Sequence, residues 1–376
     1  MDRIRGFDGL RALAILAVFV QHAFASAAPL KTGGYGVWLF FCLSGFLIVR
    51  ILVRERRRIE AGEQGRRAAL GRFFWRRALR IAPIYYLVLL LFTVLALLGV
   101  VSDFTWPAAA WHYLALSNVY FGEVAGRWVG RFGHLWSLAV EQQFYLLAAP
   151  VLILIPSRWA RGACLAALVL AATSALVMLA TGADAMARYT NSLVNFGPMA
   201  LGGFLALGLA ERPEDGEAWL PTAAPLALLV ALPVLVWKLD GLAVMPGPVL
   251  ETAALFAGTL AAGLMIRGLY RNQAGLFARA LSCAPLAYLG RVSYGFYLYH
   301  QLLPKGLARR AADAAGLHVA IPGEVEALVF FGATLALAAL SWQFIEQPLL
   351  KLGRTVPSLP RAPLPQRAAA VSEAAT

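Results

Sequence analysis

The stretch GFDGLRALAILAVFVQH, residues 6–22, carries an arginine and a histidine inside a run that otherwise reads as a membrane helix. Arg11 and His22 are three helical turns apart, so they share a face and stand roughly 16 Å from each other along the axis. Ionisable groups inside a span are costly and by default mark a site of function. A histidine there suits general base work. The same two residues also fit a snorkelling arginine and a packed histidine, and alone they leave both readings open.

A second in-span charge is Glu141, in HLWSLAVEQQFYL (residues 134–146). If its helix starts near Trp136, Glu141 lies about one and a half turns below the outer face. His22 stands five residues before an outer helix end at Ala27, so the two are expected at similar depth. A carboxylate beside an imidazole fixes its tautomer and raises its basicity, as a general base requires; a purely structural hydrogen bond is the alternative. His134, Ser137 and Gln142 add polar groups on adjoining turns, more than a lipid-facing surface tolerates.

Towards the inner face, FFWRRALRIAP brings Arg76, Arg77 and Arg80 to the start of the third span. Arg77 and Arg80, three apart, share a face. Such a cluster serves topology and lipid headgroups, or recognises a phosphorylated ligand through guanidinium forks. Ser44 and Gly45 in FFCLSGFL are small residues that permit close helix approach, and packing is the reading for Ser44. LGRVSYGFYLYH contributes Ser293, Tyr299 and His300 as further candidates. No metal-ligand spacing occurs among the histidines and the three cysteines, and no disulfide framework is expected.

The elements that must position these groups are membrane helices. Of 376 residues 60% are hydrophobic and only 14% charged, a balance that a soluble domain could not cover with polar surface. The net charge of +13 lies between apolar runs rather than on a soluble face, so it marks loops and not a nucleic-acid surface. Spans of about 20 apolar residues are expected at 7–27, 36–53, 83–101, 136–155, 164–181, 196–210, 222–238, 249–266, 285–303 and 325–345. The arginine-rich stretch between Arg54 and Arg80 places that loop in the cytoplasm by the positive-inside rule. The fold class is therefore all-α: a polytopic bundle of about ten transmembrane helices with both termini inside. The segment 102–135, rich in Trp and Tyr, lies outside at the interface. Residues 1–350 form the membrane domain, and the Pro-, Arg- and Ala-rich tail 351–376 is expected to be disordered. AFASAAP at 23–29 has the look of a signal-peptide cleavage site, but Asp2, Asp8, Arg11, His22 and the span count argue for a retained first helix.

With these motifs assembled, the chain resembles the membrane acyltransferase-3 family of bacterial inner-membrane O-acyltransferases. The pieces run in order: the Arg11–His22 pair, GVWLFFCLSGFLI, RRALRIAPIY, HLWSLAVEQQFYL, LGRVSYGFYLYH and FIEQP. They span about residues 6–350; Gln143 stands where members of the family vary. The esterase-like domain that some members carry is absent from this sequence. The resemblance implies transfer of an acyl group, usually acetyl, from cytoplasmic acyl-CoA to a sugar hydroxyl on a lipid-linked or nascent polysaccharide. It maps the catalytic histidine to His22 and the glutamate of the EQ motif to Glu141. Handling of the CoA donor falls to Arg11, Arg77 and Arg80, with Arg76 beside them.

The expected mechanism keeps the CoA nucleotide at the arginines, threads the pantetheine arm past Arg11 and brings the thioester to His22, oriented by Glu141. Ser137, Tyr299 and His300 are candidate donors to the oxyanion, and an acyl-histidine variant stays open. The expected location is the bacterial inner membrane, with acyl-CoA as donor substrate and no permanently bound cofactor. Expected partners are a sugar or polysaccharide acceptor and membrane lipid, with no nucleic acid. The rival is a secondary transporter or saccharide exporter, for which ten spans and a His–Glu pair would also serve. It lacks the internal duplication that transporters usually show. A small glycosylated metabolite or a lipo-oligosaccharide are alternative acceptors.

Overall fold

Apolar runs this long satisfy their backbone groups internally only as helices, and the computed structural model is a bundle of them. It describes residues 4–24, 31–102, 104–210, 220–304 and 306–353. The main helices are α1 (Phe7–Ala23), α2 (Thr32–Glu60), α3 (Arg66–Leu97), α4 (Trp106–Tyr113), α5 (Leu135–Leu154) and α6 (Ala160–Ala180). They continue as α7 (Ser192–Ala210), α8 (Leu220–Gly241), α9 (Gly247–Arg271), α10 (Ala284–Arg291), α11 (Ser293–Tyr299) and α12 (Gly323–Ser341). Among the described residues eight helical segments are long and apolar enough to cross a membrane. The other two segments read as spans from sequence are α1, at 17 residues, and the α10–α11 pair. The protein is an all-helical, multi-pass membrane bundle.

Three departures from the hydropathy reading bear on the site. α1 closes at Ala23, with Phe24 as its cap, so His22 falls in its last turn rather than five residues inside it. The signal-peptide-like stretch and the expected helix end at Ala27 run into residues 25–30, outside the described residues. α3 begins at Arg66, not Pro83, because Ala, Arg and Leu are strong helix formers even where hydropathy is low. Arg76, Arg77 and Arg80 therefore lie well inside a 32-residue helix and not at its start. The ninth segment breaks at Val292 into α10 and α11 and ends at Tyr299. The break follows Gly290, where a Cβ would meet the backbone carbonyl of Asp8 on α1. Lys351 and Leu352, expected in the disordered tail, close a short helix from Gln347 to Leu352; the tail from residue 354 on and the Glu211–Glu217 loop lie outside the described residues.

α2 is the central post. It packs against α1, α5, α7 and α9. Its close approach to α7 depends on glycine from both sides: a Cβ at Gly45 would meet the carbonyl of Met199, and one at Gly202 would meet that of Cys42. The small-residue reading of Gly45 is the observed one. α1 lies against α2 and α10, and α11 against α12. The connection between α3 and α5 is tied down rather than merely resting at an interface. Tyr85 on α3 donates to the carbonyl of His112 (2.7 Å), and Gln143 on α5 donates to Ala115 O (3.0 Å) and Asn118 Oδ1 (2.8 Å).

Candidate functional site

Two polar clusters lie on opposite halves of the bundle, joined by α1. The first is at the end carrying the α3–α5 connection. There α1 delivers His22, the turn after α11 delivers His300 and Gln301, and the residue capping α5 is His134. The His22 and His300 rings are 5.0 Å apart, with His300 Nε2 3.1 Å from His22 Nδ1. Gln301 Nε2 donates to His22 Nε2 at 2.8 Å. His134 lies 5.3 Å from His300, ring to ring, and its Nε2 donates to the carbonyl of Leu298 (3.0 Å). Its buried Nδ1 meets no hydrogen-bond partner.

These residues line a cavity of about 1070 Å³. Its walls are aromatic, with Trp38, Trp128, Trp136, Tyr189 and Trp237 among them. Charge gathers in Arg131, Lys31, Arg188, Glu251 and Asp240, and Glu251 takes ion pairs from Lys31 (3.1 Å) and Arg188 (3.3 Å). Flat aromatic faces with polar groups between them suit a polar ring compound more than a purely apolar one. On α1 the lining reaches from His22 down to Val18; Ile15 and Val18 are buried in the core below.

The second cluster is nearer the arginine-rich end. Glu141 Oε1 accepts from Ser44 (2.6 Å) and from Tyr145, and those two hydroxyls are themselves 2.7 Å apart. The Arg77 guanidinium stands 5.6 Å from the Tyr145 ring centre and feels the charges of Glu141 and Arg80. Arg80 in turn acts on Arg11 and on Glu346, the glutamate of FIEQP. Arg11 pairs with Asp8 at 3.4 Å. Three guanidiniums thus stand among three carboxylates, Asp8, Glu141 and Glu346, and guanidinium forks of this kind match phosphate geometry. Arg76 points outward and is exposed.

The geometry corrects the pairing of His22 with Glu141. Glu141 is seven residues along α5 from His134, roughly 10 Å deeper than the ring that neighbours His22. Its hydrogen bonds go to Ser44 and Tyr145, and those of His22 go to His300 and Gln301. α1 ends four residues short of the expected Ala27, which leaves His22 at the outer end of the bundle and Glu141 well below it. Ser44, read from sequence as packing, has a carboxylate on its hydroxyl, a partner that only the tertiary fold supplies. Of the three candidate oxyanion donors only His300 lines the cavity. Ser137 is bonded to Tyr297 (2.6 Å) and Tyr299 to Ser341 (2.9 Å). Gln142 bonds back to Leu138 O (3.3 Å), and Ser293 is buried at the α10–α11 break. The sequence reading missed Gln301, Tyr145 and Glu346; Gln301 directly follows His300, and that adjacency was its only local signal.

The chain is 26% identical to the peptidoglycan O-acetyltransferase OatA of Listeria monocytogenes, covering 93% of this chain and 56% of that protein. It is 27% identical to the O-acetyltransferase OatA of Staphylococcus aureus, covering 93% and 57%. It is also 28% identical to the putative peptidoglycan O-acetyltransferase YrhL of Bacillus subtilis, covering 93% and 55%. The chain thus spans about half the length of these relatives. No solved structure matches it. Residues 4–343 match the acyltransferase domain family from end to end of the helical bundle, and the chain belongs to that membrane acyltransferase-3 family.

Proposed function

We propose that the protein is an O-acyltransferase of the bacterial inner membrane that moves acetyl from cytoplasmic acetyl-CoA to a hydroxyl of an extracytoplasmic or lipid-linked polysaccharide. The observation that carries this reading is the division of labour along α1. Arg11 stands in the arginine cluster, and His22 stands at an aromatic, sugar-sized cavity three turns away on the same face. The positive-inside rule orients the bundle with the arginines towards the cytoplasm, where CoA is found. The named activities of the relatives support acetyl as the group and a cell-wall glycan as the acceptor class.

In this mechanism Arg11, Arg77 and Arg80 hold the CoA phosphates, and Glu141, through Ser44 and Tyr145, fixes the packing around Arg77. The pantetheine arm extends along α1 and carries the thioester to the cavity floor. His22 takes the proton of the acceptor hydroxyl as its oxygen attacks the thioester carbon. The tetrahedral adduct then collapses, the C–S bond breaks, and the CoA sulfur leaves with the proton that His22 returns. The arrangement holds donor and acceptor in one geometry, so the bimolecular reaction becomes effectively intramolecular.

The test is transfer of label from acetyl-CoA to glycan in membranes containing the protein or its His22→Ala variant. The wild type is expected to label glycan and the variant to be inserted but inactive. Saccharide uptake without any acyl transfer would overturn the reading in favour of a transporter.

A further inference from the structure

The hydrogen bonds around His22 decide which of its nitrogens is the base. His300 Nδ1 lies 2.6 Å from the carbonyl oxygen of Tyr297, and a carbonyl only accepts, so the proton of His300 is on Nδ1. His300 is fully buried, and burying a charged ring costs far more than a neutral one, so it carries that single proton. His300 Nε2 is then a lone pair, and the contact at 3.1 Å makes His22 Nδ1 the donor. His22 Nε2 is left as the lone pair, and it accepts from the Gln301 amide at 2.8 Å, an amide nitrogen that can only donate. Two independent fixed points, a backbone carbonyl at one end and an amide nitrogen at the other, give the same tautomer.

We infer that His300 is the positioning residue of His22, holding its base nitrogen at Nε2, and that the Gln301 amide occupies the place on Nε2 that the acceptor hydroxyl takes. This rests on the reading of His22 as the general base. It gives His300 the work of a carboxylate in a triad: orienting the ring and accepting from Nδ1 as the second nitrogen gains its proton. The charge that His22 acquires stays on its ring and is stabilised by the His300 lone pair on Nδ1–H, while the Tyr297 carbonyl holds His300 in that tautomer. The other titratable ring packed here is His134, from the start of α5, which touches His300 and shares the cavity. Once displaced, Gln301 keeps two N–H groups beside the reacting atoms, where a donor to the oxyanion is required.

Three variants test the inference, with two readouts: acetyl transfer, and carbethoxylation of His22 by diethyl pyrocarbonate followed by peptide mass. His300→Gln puts an acceptor oxygen where Nε2 stood; His300→Asn keeps the bond to Tyr297 and removes the acceptor from His22. The expectation for His300→Asn is a kcat about 100-fold lower, within the span of general base effects, with little change in the acceptor KM. His300→Gln should recover at least about tenfold of that, and His22 carbethoxylation should fall in the same order. Equal behaviour of the two variants in both readouts, or wild-type turnover in His300→Asn, overturns the positioning role. Activity retained by His22→Ala is the separate failure of the base reading itself, and the inference falls with it.

Discussion

Ser44 on α2 donates a 2.6 Å hydrogen bond to Glu141 on α5, in a cluster whose cations are Arg77, Arg80 and Arg11. Glu141 is therefore a member of the arginine site. Glu141→Gln is expected to lower turnover about tenfold to a hundredfold through misplacement of Arg77. The rate of His22 carbethoxylation should stay at the wild-type value. A parallel fall in that rate would restore the His22–Glu141 pairing.

On the proposed function the arginines bind phosphate, so their loss should depend on the donor offered. Arg77→Ala and Arg80→Ala should each raise the KM for acetyl-CoA about tenfold or more, as expected for charge-assisted hydrogen bonds worth about 1.5–3 kcal/mol. With an acetyl-pantetheine lacking the nucleotide phosphates, both variants should match the wild type. Equal impairment with both donors would mean that the cluster is structural.

On the acceptor side, Trp128 packs edge-on against Phe121 (5.2 Å) and Tyr189 (6.2 Å) in the cavity wall. Trp128→Ala should raise the acceptor KM about three- to tenfold, the loss of roughly one aromatic contact, and leave the acetyl-CoA KM unchanged. Steady-state kinetics with each substrate varied in turn checks this.

His112, in the connection between α3 and α5, is buried with Nδ1 2.8 Å from Ser117 Oγ, and burial pushes its pKa down to about 4. A histidine free in the unfolded chain binds its proton near pH 6.5. Stability from the neutral ring is thus complete above that pH and is lost as pH falls towards 4. Thermal unfolding in detergent should show the midpoint dropping between pH 7.5 and 5, by a free energy on the order of 2 kcal/mol for this residue. His112→Asn should flatten that part of the curve.

Gly45 faces the Met199 carbonyl with no space for a side chain. Gly45→Val should separate α2 from α7 and reduce accumulation in the membrane, with overpacking costs of about 1–3 kcal/mol or more. The same change at Gly62, which has open space around it but a φ of +74°, should cost only its backbone strain.

Much of this fold was legible in the sequence because lipid leaves the backbone few choices: a long apolar run has to be a helix. Hydropathy measures lipid contact and not helix length, which is why it began the third span at Pro83 when the helix runs from Arg66. It also drew one span through Val292, where the close approach of Gly290 to Asp8 decides the outcome. Arg11, His22 and the arginine triplet stood out because charge is rare in such runs. Their partners did not. Nothing local ties Ser44 to a carboxylate 97 residues away, or His22 to a ring 278 residues away, and an error of four residues in one helix end, about 6 Å, was enough to exchange the partner of His22.

The two clusters are held apart by a pair of matched rods. α1 separates Arg11 from His22 by eleven residues, and α5, running the opposite way, separates His134 from Tyr145 by the same number. His134 neighbours His300 beside His22, and Tyr145 donates to Glu141 in the arginine cluster. An α-helix barely stretches, so a thicker or thinner bilayer tilts the pair without changing the span between its ends. One residue inserted into α1 alone would advance His22 by 1.5 Å and swing it 100° out of phase with its counterpart on α5. On the proposed function, the carrier arm that bridges the two ends would be gauged by covalent geometry rather than by the membrane around it.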